Sequence, residues 1–102
     1  MTPLQTDEVQ QKLLALPKWI LKDKRWIERK YLFQEFLQGI QFVNQIAAFS
    51  EEKDHHPFIT IQYKVVVVSL TSWNAKGLTA LDFQMAEQFD TWYEEIKLAP
   101  RK

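Results

Sequence analysis

The two histidines of this chain are adjacent, in the run Glu51, Glu52, Lys53, Asp54, His55, His56, Pro57. Imidazole is the side chain whose ordinary pKa lies nearest neutrality, so it can both give and take a proton at pH 7. Glu51, Glu52 and Asp54 are close enough in sequence to fix a tautomer or favour the protonated ring. Pro57 restricts His56 to an extended backbone. The residue types therefore suit acid/base chemistry at His55 and His56. A wet connection between a helix and a strand carries His, Asp and Glu for solubility alone, and that reading stands beside the first. A metal site is a third reading. Zinc takes three or four protein ligands. With no cysteine and no third histidine, carboxylates would have to complete the set. No metal is assigned. The lack of cysteine also removes disulfides and thiolate nucleophiles.

The elements that position these residues must come from a short chain. Its 102 residues fit one domain, spanning 1–102. A hydrophobic fraction of 46% is ample for one core. With 13 basic and 13 acidic side chains the net charge is zero, which argues against non-specific nucleic-acid binding. The opening residues, Met1 to Glu8, have neither a basic nor an apolar targeting region. No unbroken apolar run is longer than that at 65–68, against the ~20 residues a membrane helix needs. No membrane segment is expected, and a cytoplasmic protein is.

Residues 6–16 read as a helix capped by Thr6, with Asp7 and Glu8 in its first turn and Val9, Leu13 and Leu16 on one face. Pro17 ends it. Residues 18–22 and 25–33 read as strands around an Asp23-Lys24 turn. Residues 34–50 form a second helix, with an apolar stripe of Phe36, Ile40, Val43 and Ala47 widened by Leu37. Gly39 within it costs about 1 kcal/mol against Ala, which a close packing contact would explain.

Residues 58–73 are the richest β region. As one strand they would span roughly 50 Å, too long for a domain with a radius of gyration of ~13 Å. The run must fold back near residues 62–64. Residues 74–78 read as a loop. Thr79 and Asp82 form a capping box for a last helix with Met85, Phe89, Trp92 and Ile96 on one face. Pro100, Arg101 and Lys102 read as a frayed tail.

The order α-β-β-α-β-β-α predicts an α+β domain of two layers. A four-stranded antiparallel sheet carries three helices on one face, and its other face is exposed or used for association. In that frame Trp73 at a strand end reads as core or interface, and Asp82 as a helix cap. Phe89, Trp92 and Tyr93 read as core or oligomer contacts.

Taken together, these residues resemble the pterin-4a-carbinolamine dehydratases. The family pattern joins an acid, three residues, His-His-Pro, an aromatic in the next strand, a His or Trp, and an Asp at a helix start. Here it reads Glu51, Asp54, His55, His56, Pro57, Tyr63, Trp73 and Asp82. The stretch Gly77, Leu78, Thr79, Ala80, Leu81, Asp82 matches the family's Gly-Leu-Ser/Thr-x-x-Asp. Weaker likeness extends over the rest of the chain, including the Trp19 region.

The resemblance implies four antiparallel strands with three helices on one side. It implies dehydration of a 4a-hydroxytetrahydropterin to the quinonoid dihydropterin, the step that recycles the pterin of aromatic amino-acid hydroxylases. Neither metal nor redox cofactor is implied. His55 matches the residue given acid/base work, and His56 matches the one that binds and orients the pterin. Glu51 and Asp54 would support them, and Trp73 would pack on the ring. Better-known members carry a third histidine where this chain has Trp73. Indole cannot exchange a proton near pH 7, so a lower rate or an altered preference between the substrate's two faces is implied.

Homodimers or homotetramers are implied too, through a sheet edge such as residues 65–70 or through helix aromatics. Some relatives act instead by associating with other proteins, as a coactivator or an assembly factor. A non-catalytic binding role on the same scaffold is therefore the alternative.

Overall fold

The computed structural model describes residues 2–99. Its elements are α1 (Thr6–Leu13), β1 (Ile20–Lys22), β2 (Trp26–Leu32), α2 (Phe36–Lys53), β3 (Phe58–Gln62), β4 (Val65–Leu70), a 3₁₀ turn (Trp73–Ala75) and α3 (Ala80–Leu98). The four strands form one antiparallel sheet in the order β1-β2-β4-β3. This is the expected α+β order. The run 100–102, expected to fray, lies outside the described residues.

Two tight turns set the sheet's register. Asp23 and Lys24 both have positive φ, 52° and 62°, in a turn closed by Arg25 N–H donating to Lys22 O at 3.2 Å, and Arg25 is the third residue between the paired Lys22 and Trp26. The second fold-back falls at Tyr63-Lys64, within the expected window, with Tyr63 at φ 55°. Tyr63 is thus a turn residue, not the strand aromatic the motif suggested. Residues 65–70 are not an edge either, since β4 pairs with β2 on one side and β3 on the other. The edges are β1 and β3.

The core lies between sheet and helices. Ile27 and Tyr31 of β2 and Val66, Val68 and Leu70 of β4 alternate inward. They meet Val9 of α1, Phe42 and Ile46 of α2, and Met85, Phe89 and Ile96 of α3. The expected α2 stripe has the right period but the wrong phase. Gly39, Phe42, Ile46 and Ser50 are its buried positions, while Phe36, Leu37 and Ala47 are exposed. Gly39 sets the phase. A Cβ there would stand 3.2 Å from Val66 Cγ2, so the glycine lets α2 lie close on β4.

Helix ends also moved. Gln5, not Thr6, caps α1, in a reciprocal box with Glu8. Beyond Leu13 the chain tightens into turns, Leu16 N–H donating to Leu13 O at 3.0 Å. Phe89 and Tyr93 are core and Trp92 is half-buried, so α3 offers little aromatic surface to a second copy.

A polar network ties α3 to the sheet. Asp90 Oδ1 accepts from Tyr31 Oη at 2.6 Å and Trp19 Nε1 at 3.0 Å, and pairs with Arg29 at 2.9 Å. The guanidinium lies 4.4 Å and 4.9 Å from the Tyr31 and Tyr93 ring centres. Burial, reinforced by Asp90, pushes the Tyr31 phenol far above its ordinary pKa, so it remains a donor. Asp90→Ala strands a buried cation and two donors. It is expected to cost about 2–4 kcal/mol of stability by urea denaturation, and an unchanged midpoint would contradict the network's role.

Candidate active site

Helix α2 runs three residues past the expected end at Ser50, so Glu51 sits on its last turn and not in a loop. The helix stops at Asp54, which adopts the left-handed conformation at φ 50°. Asp is one of the few non-glycine residues that reach this region readily. His55 N–H then donates to Ser50 O at 3.0 Å, closing the helix end and fixing the His55 backbone. Asp54 shapes the backbone, and its exposed carboxyl makes no bond to either imidazole among the described residues. Pro57 leads directly into β3.

The partner of His55 comes from the other end of the chain. Asp82 is the third residue of α3 and is wholly buried. Its Oδ2 accepts the Ser72 hydroxyl at 2.7 Å and the Thr79 N–H at 2.9 Å. Its Oδ1 lies 2.7 Å from His55 Nε2. Thr79 Oγ1, 2.8 Å from the Ser72 hydroxyl, completes the chain by donating to it, since the Ser72 proton is committed to Asp82. A carboxylate only accepts, so His55 Nε2 carries hydrogen toward Asp82. The Nδ1 of a neutral His55 is then a lone-pair acceptor, with no protein partner among the described residues. His55 keeps 13% of its side chain exposed, enough to meet a ligand while its far nitrogen is held.

His56 pairs differently. Its Nε2 is hydrogen-bonded to Glu51 Oε2, and both side chains are more than half exposed. The two histidines thus sit in separate acid–imidazole pairs, one buried and one wet. No group of three or more metal-ligating side chains occurs among the described residues.

Both imidazoles line a concavity of about 540 Å³ with Asp54, Pro57, Phe58, Ser72, Trp73, Asn74 and Leu81. Trp73 is carried by the 3₁₀ turn, not a strand end, and is 60% exposed. The turn is closed by Lys76 in the left-handed region and by hydrogen bonds between Ser72 and Gly77. Its base is strapped by the first residues described. Leu4 N–H donates to Leu78 O at 2.8 Å, and a Cβ on Gly77 would stand 3.0 Å from Pro3 Cβ. Tyr63 does not reach this concavity, and its ring lies 6.3 Å from that of Phe36. Ser72 and Phe58 were not flagged by the sequence. No spacing rule marks a serine beside Trp73 as the donor to an aspartate ten residues on.

A larger concavity of about 750 Å³ holds Arg29, Asp90 and Tyr93 and neither histidine. Its main charges are already paired, Arg29 with Asp90 and Lys97 with Glu94.

The chain is similar to several known proteins. The family model for pterin 4 alpha carbinolamine dehydratase matches residues 2–92. A curated protein of Picosynechococcus sp., whose name as a pterin-4-alpha-carbinolamine dehydratase is itself provisional, is 42% identical over 89 residues, 87% of this chain and 96% of that one. A crystal structure described as a transcriptional coactivator/pterin dehydratase from Brucella melitensis superposes with TM-score 0.86 at 32% identity, covering 90% of this chain and 99% of that one. A pterin dehydratase-like protein, described as a RuBisCO assembly factor in the alpha-carboxysome, shares the fold at TM-score 0.64 and 20% identity, over 74% of this chain and 92% of that one. No helix among the described residues is long and apolar enough to cross a membrane. The chain belongs to the pterin-4a-carbinolamine dehydratase family, a family of hydro-lyases.

Proposed function

We propose that this protein dehydrates a 4a-hydroxytetrahydropterin to the quinonoid dihydropterin and water, using His55 as the proton-transfer group. The observation that carries the reading is the His55–Asp82 pair, buried on the carboxylate side and open on the imidazole side. The reaction breaks the C4a–O bond and gives the leaving oxygen a proton. A neighbouring ring nitrogen loses its proton, and its electron pair closes the new C=N bond. No oxidant or reductant enters. His55 in the Nε2–H form accepts at Nδ1, and once protonated it donates there. Asp82 keeps the ring orientation through both states. His56, braced by Glu51, is suited to bind and orient the polar edge of the pterin.

The setting that follows is cytoplasmic recycling of the tetrahydropterin used in aromatic hydroxylation. A second copy would add at β3, an edge strand whose five residues, Phe58–Gln62, include no charge and no proline. That makes a homodimer, or a tetramer of such dimers.

The direct test is the decay of freshly generated 4a-hydroxypterin with and without protein. Equal decay would overturn the proposal and leave a binding or assembly role on the same fold. Trp73→His gives the concavity a second side chain placed to exchange a proton with the ligand, beside His55. Turnover is expected to rise about tenfold, less than the ~10²–10⁴ of a sole general acid or base because His55 already serves. Unchanged turnover would show that position 73 takes no part in proton transfer.

A further inference from the structure

One wall of the histidine concavity has no part in moving protons. Trp73 and Phe58 supply it, and they are 60% and 57% exposed. They are not loose surface residues. Their ring centres lie 5.7 Å apart. Trp26, from β2, stands 4.9 Å from Phe58 and meets Trp73 at 5.1 Å with an interplanar angle of 83°. Trp26 is absent from the histidine concavity. It lies behind the wall, in a smaller hollow of about 210 Å³ shared with Phe58, Glu28 and Ser69. Register explains the meeting. Phe58 pairs across β3 and β4 with Ser69, which pairs in turn with Glu28, two residues along β2 from Trp26. All four point to the sheet face that carries no helix. The 3₁₀ turn then brings Trp73 onto the same aromatic pair.

We propose that Trp73 and Phe58 form a stacking wall that grips the face of the uncharged bicyclic ring of a reduced pterin. Trp26 is the positioning residue that holds this wall upright. The proposal rests on the pterin reading of the site and adds to it the element that sets affinity for the ring. A flat ring left on two mobile, solvated aromatics would gain little, because ordering them costs side-chain entropy. Trp26 removes that cost in advance by fixing the Trp73 indole edge-on. Stacking acts on the ring face, not on the breaking C4a–O bond. Most of its contribution is therefore common to substrate and transition state, which moves KM more than kcat.

The test uses the full chain and a stable 7,8-dihydropterin as probe, with binding read by titration calorimetry. Trp73→Ala is expected to weaken binding about tenfold or more. Trp26→Ala, which removes no ring-contacting atom, is expected to weaken it about three- to tenfold, and Trp26→Phe to restore most of the loss. In the turnover assay the same variants should raise KM by similar factors at nearly constant kcat. Phe58→Ala carries the same expectation and serves if Trp26→Ala does not fold. Wild type binding the probe with the tryptophan and phenylalanine variants equally tight overturns the wall and leaves the pterin reading intact. A wild type that binds no dihydropterin overturns both. Weakened binding with kcat falling in parallel overturns the positioning role, because a general disturbance of the site would do that.

Discussion

His55→Ala is expected to lower turnover of 4a-hydroxypterin by about 10²–10⁴-fold, the contribution of one well-placed general acid or base. The argument rests on where its two nitrogens are. Nε2 is spent on Asp82 at 2.7 Å, and Nδ1 alone is left to exchange a proton with a ligand. His56 cannot stand in, because its pair with Glu51 is largely solvent-exposed and so less firmly held. His56→Ala should accordingly weaken the reaction less, chiefly through KM. Alanine at position 55 also leaves Asp82 Oδ1 buried and short of a donor, at a cost of about 1–3 kcal/mol. His55→Gln separates the two effects. Its amide can still donate to Asp82 but cannot exchange a proton, so the variant should fold with near wild-type stability and be as inactive as the alanine. A glutamine variant that keeps turnover would remove His55 from the chemistry.

Asp82→Asn has the second large effect. Two donors, the Ser72 hydroxyl and the Thr79 N–H, converge on one carboxylate oxygen. An asparagine satisfies them only with its carbonyl oxygen on that side. Its NH₂ then faces His55 Nε2, which must become an acceptor. The ring hydrogen moves to Nδ1, and the nitrogen that should take a proton already holds one. Turnover is expected to fall about 10²–10⁴-fold by this wrong-tautomer effect. Stability should change little, because the helix cap survives. Asp82→Ala, by contrast, orphans three donors and the cap, at about 2–4 kcal/mol. The checks are kcat and the thermal midpoint of both variants. An asparagine variant with near wild-type kcat would show that the tautomer is not what Asp82 provides.

The element types were legible because hydrophobic period is a local property. The phase of α2 was not. Phe36, Ile40, Val43 and Ala47 make as good a stripe on paper as Gly39, Phe42, Ile46 and Ser50 make in the structure. What decides between them is the approach of Val66 on another strand. The edge strands were misplaced for the same reason. Residues 65–70 read as a strand from their composition, but their central place depends on a pairing with β2 more than thirty residues away. In the site, Asp82 reads from sequence as a cap and only through the family resemblance as chemistry. The geometry makes it both, with one oxygen for the helix and one for the histidine. Ser72 was illegible because its partners are set by a turn, and turns held by tertiary contacts leave little trace in local spacing.

The strap between Leu4 and Leu78 has a dynamic consequence. Leu78 lies between Trp73 and Asp82 in sequence, so one backbone hydrogen bond from Leu4 anchors the segment that joins the aromatic wall to the buried carboxylate. A segment held by a single backbone hydrogen bond outside any sheet or helix opens locally at far lower free energy than a core strand. Each such opening would loosen the turn under Trp73 while the sheet stays intact. The wall is thereby coupled to release of the Leu4 segment, and ligand that rests on the wall would in turn slow that release.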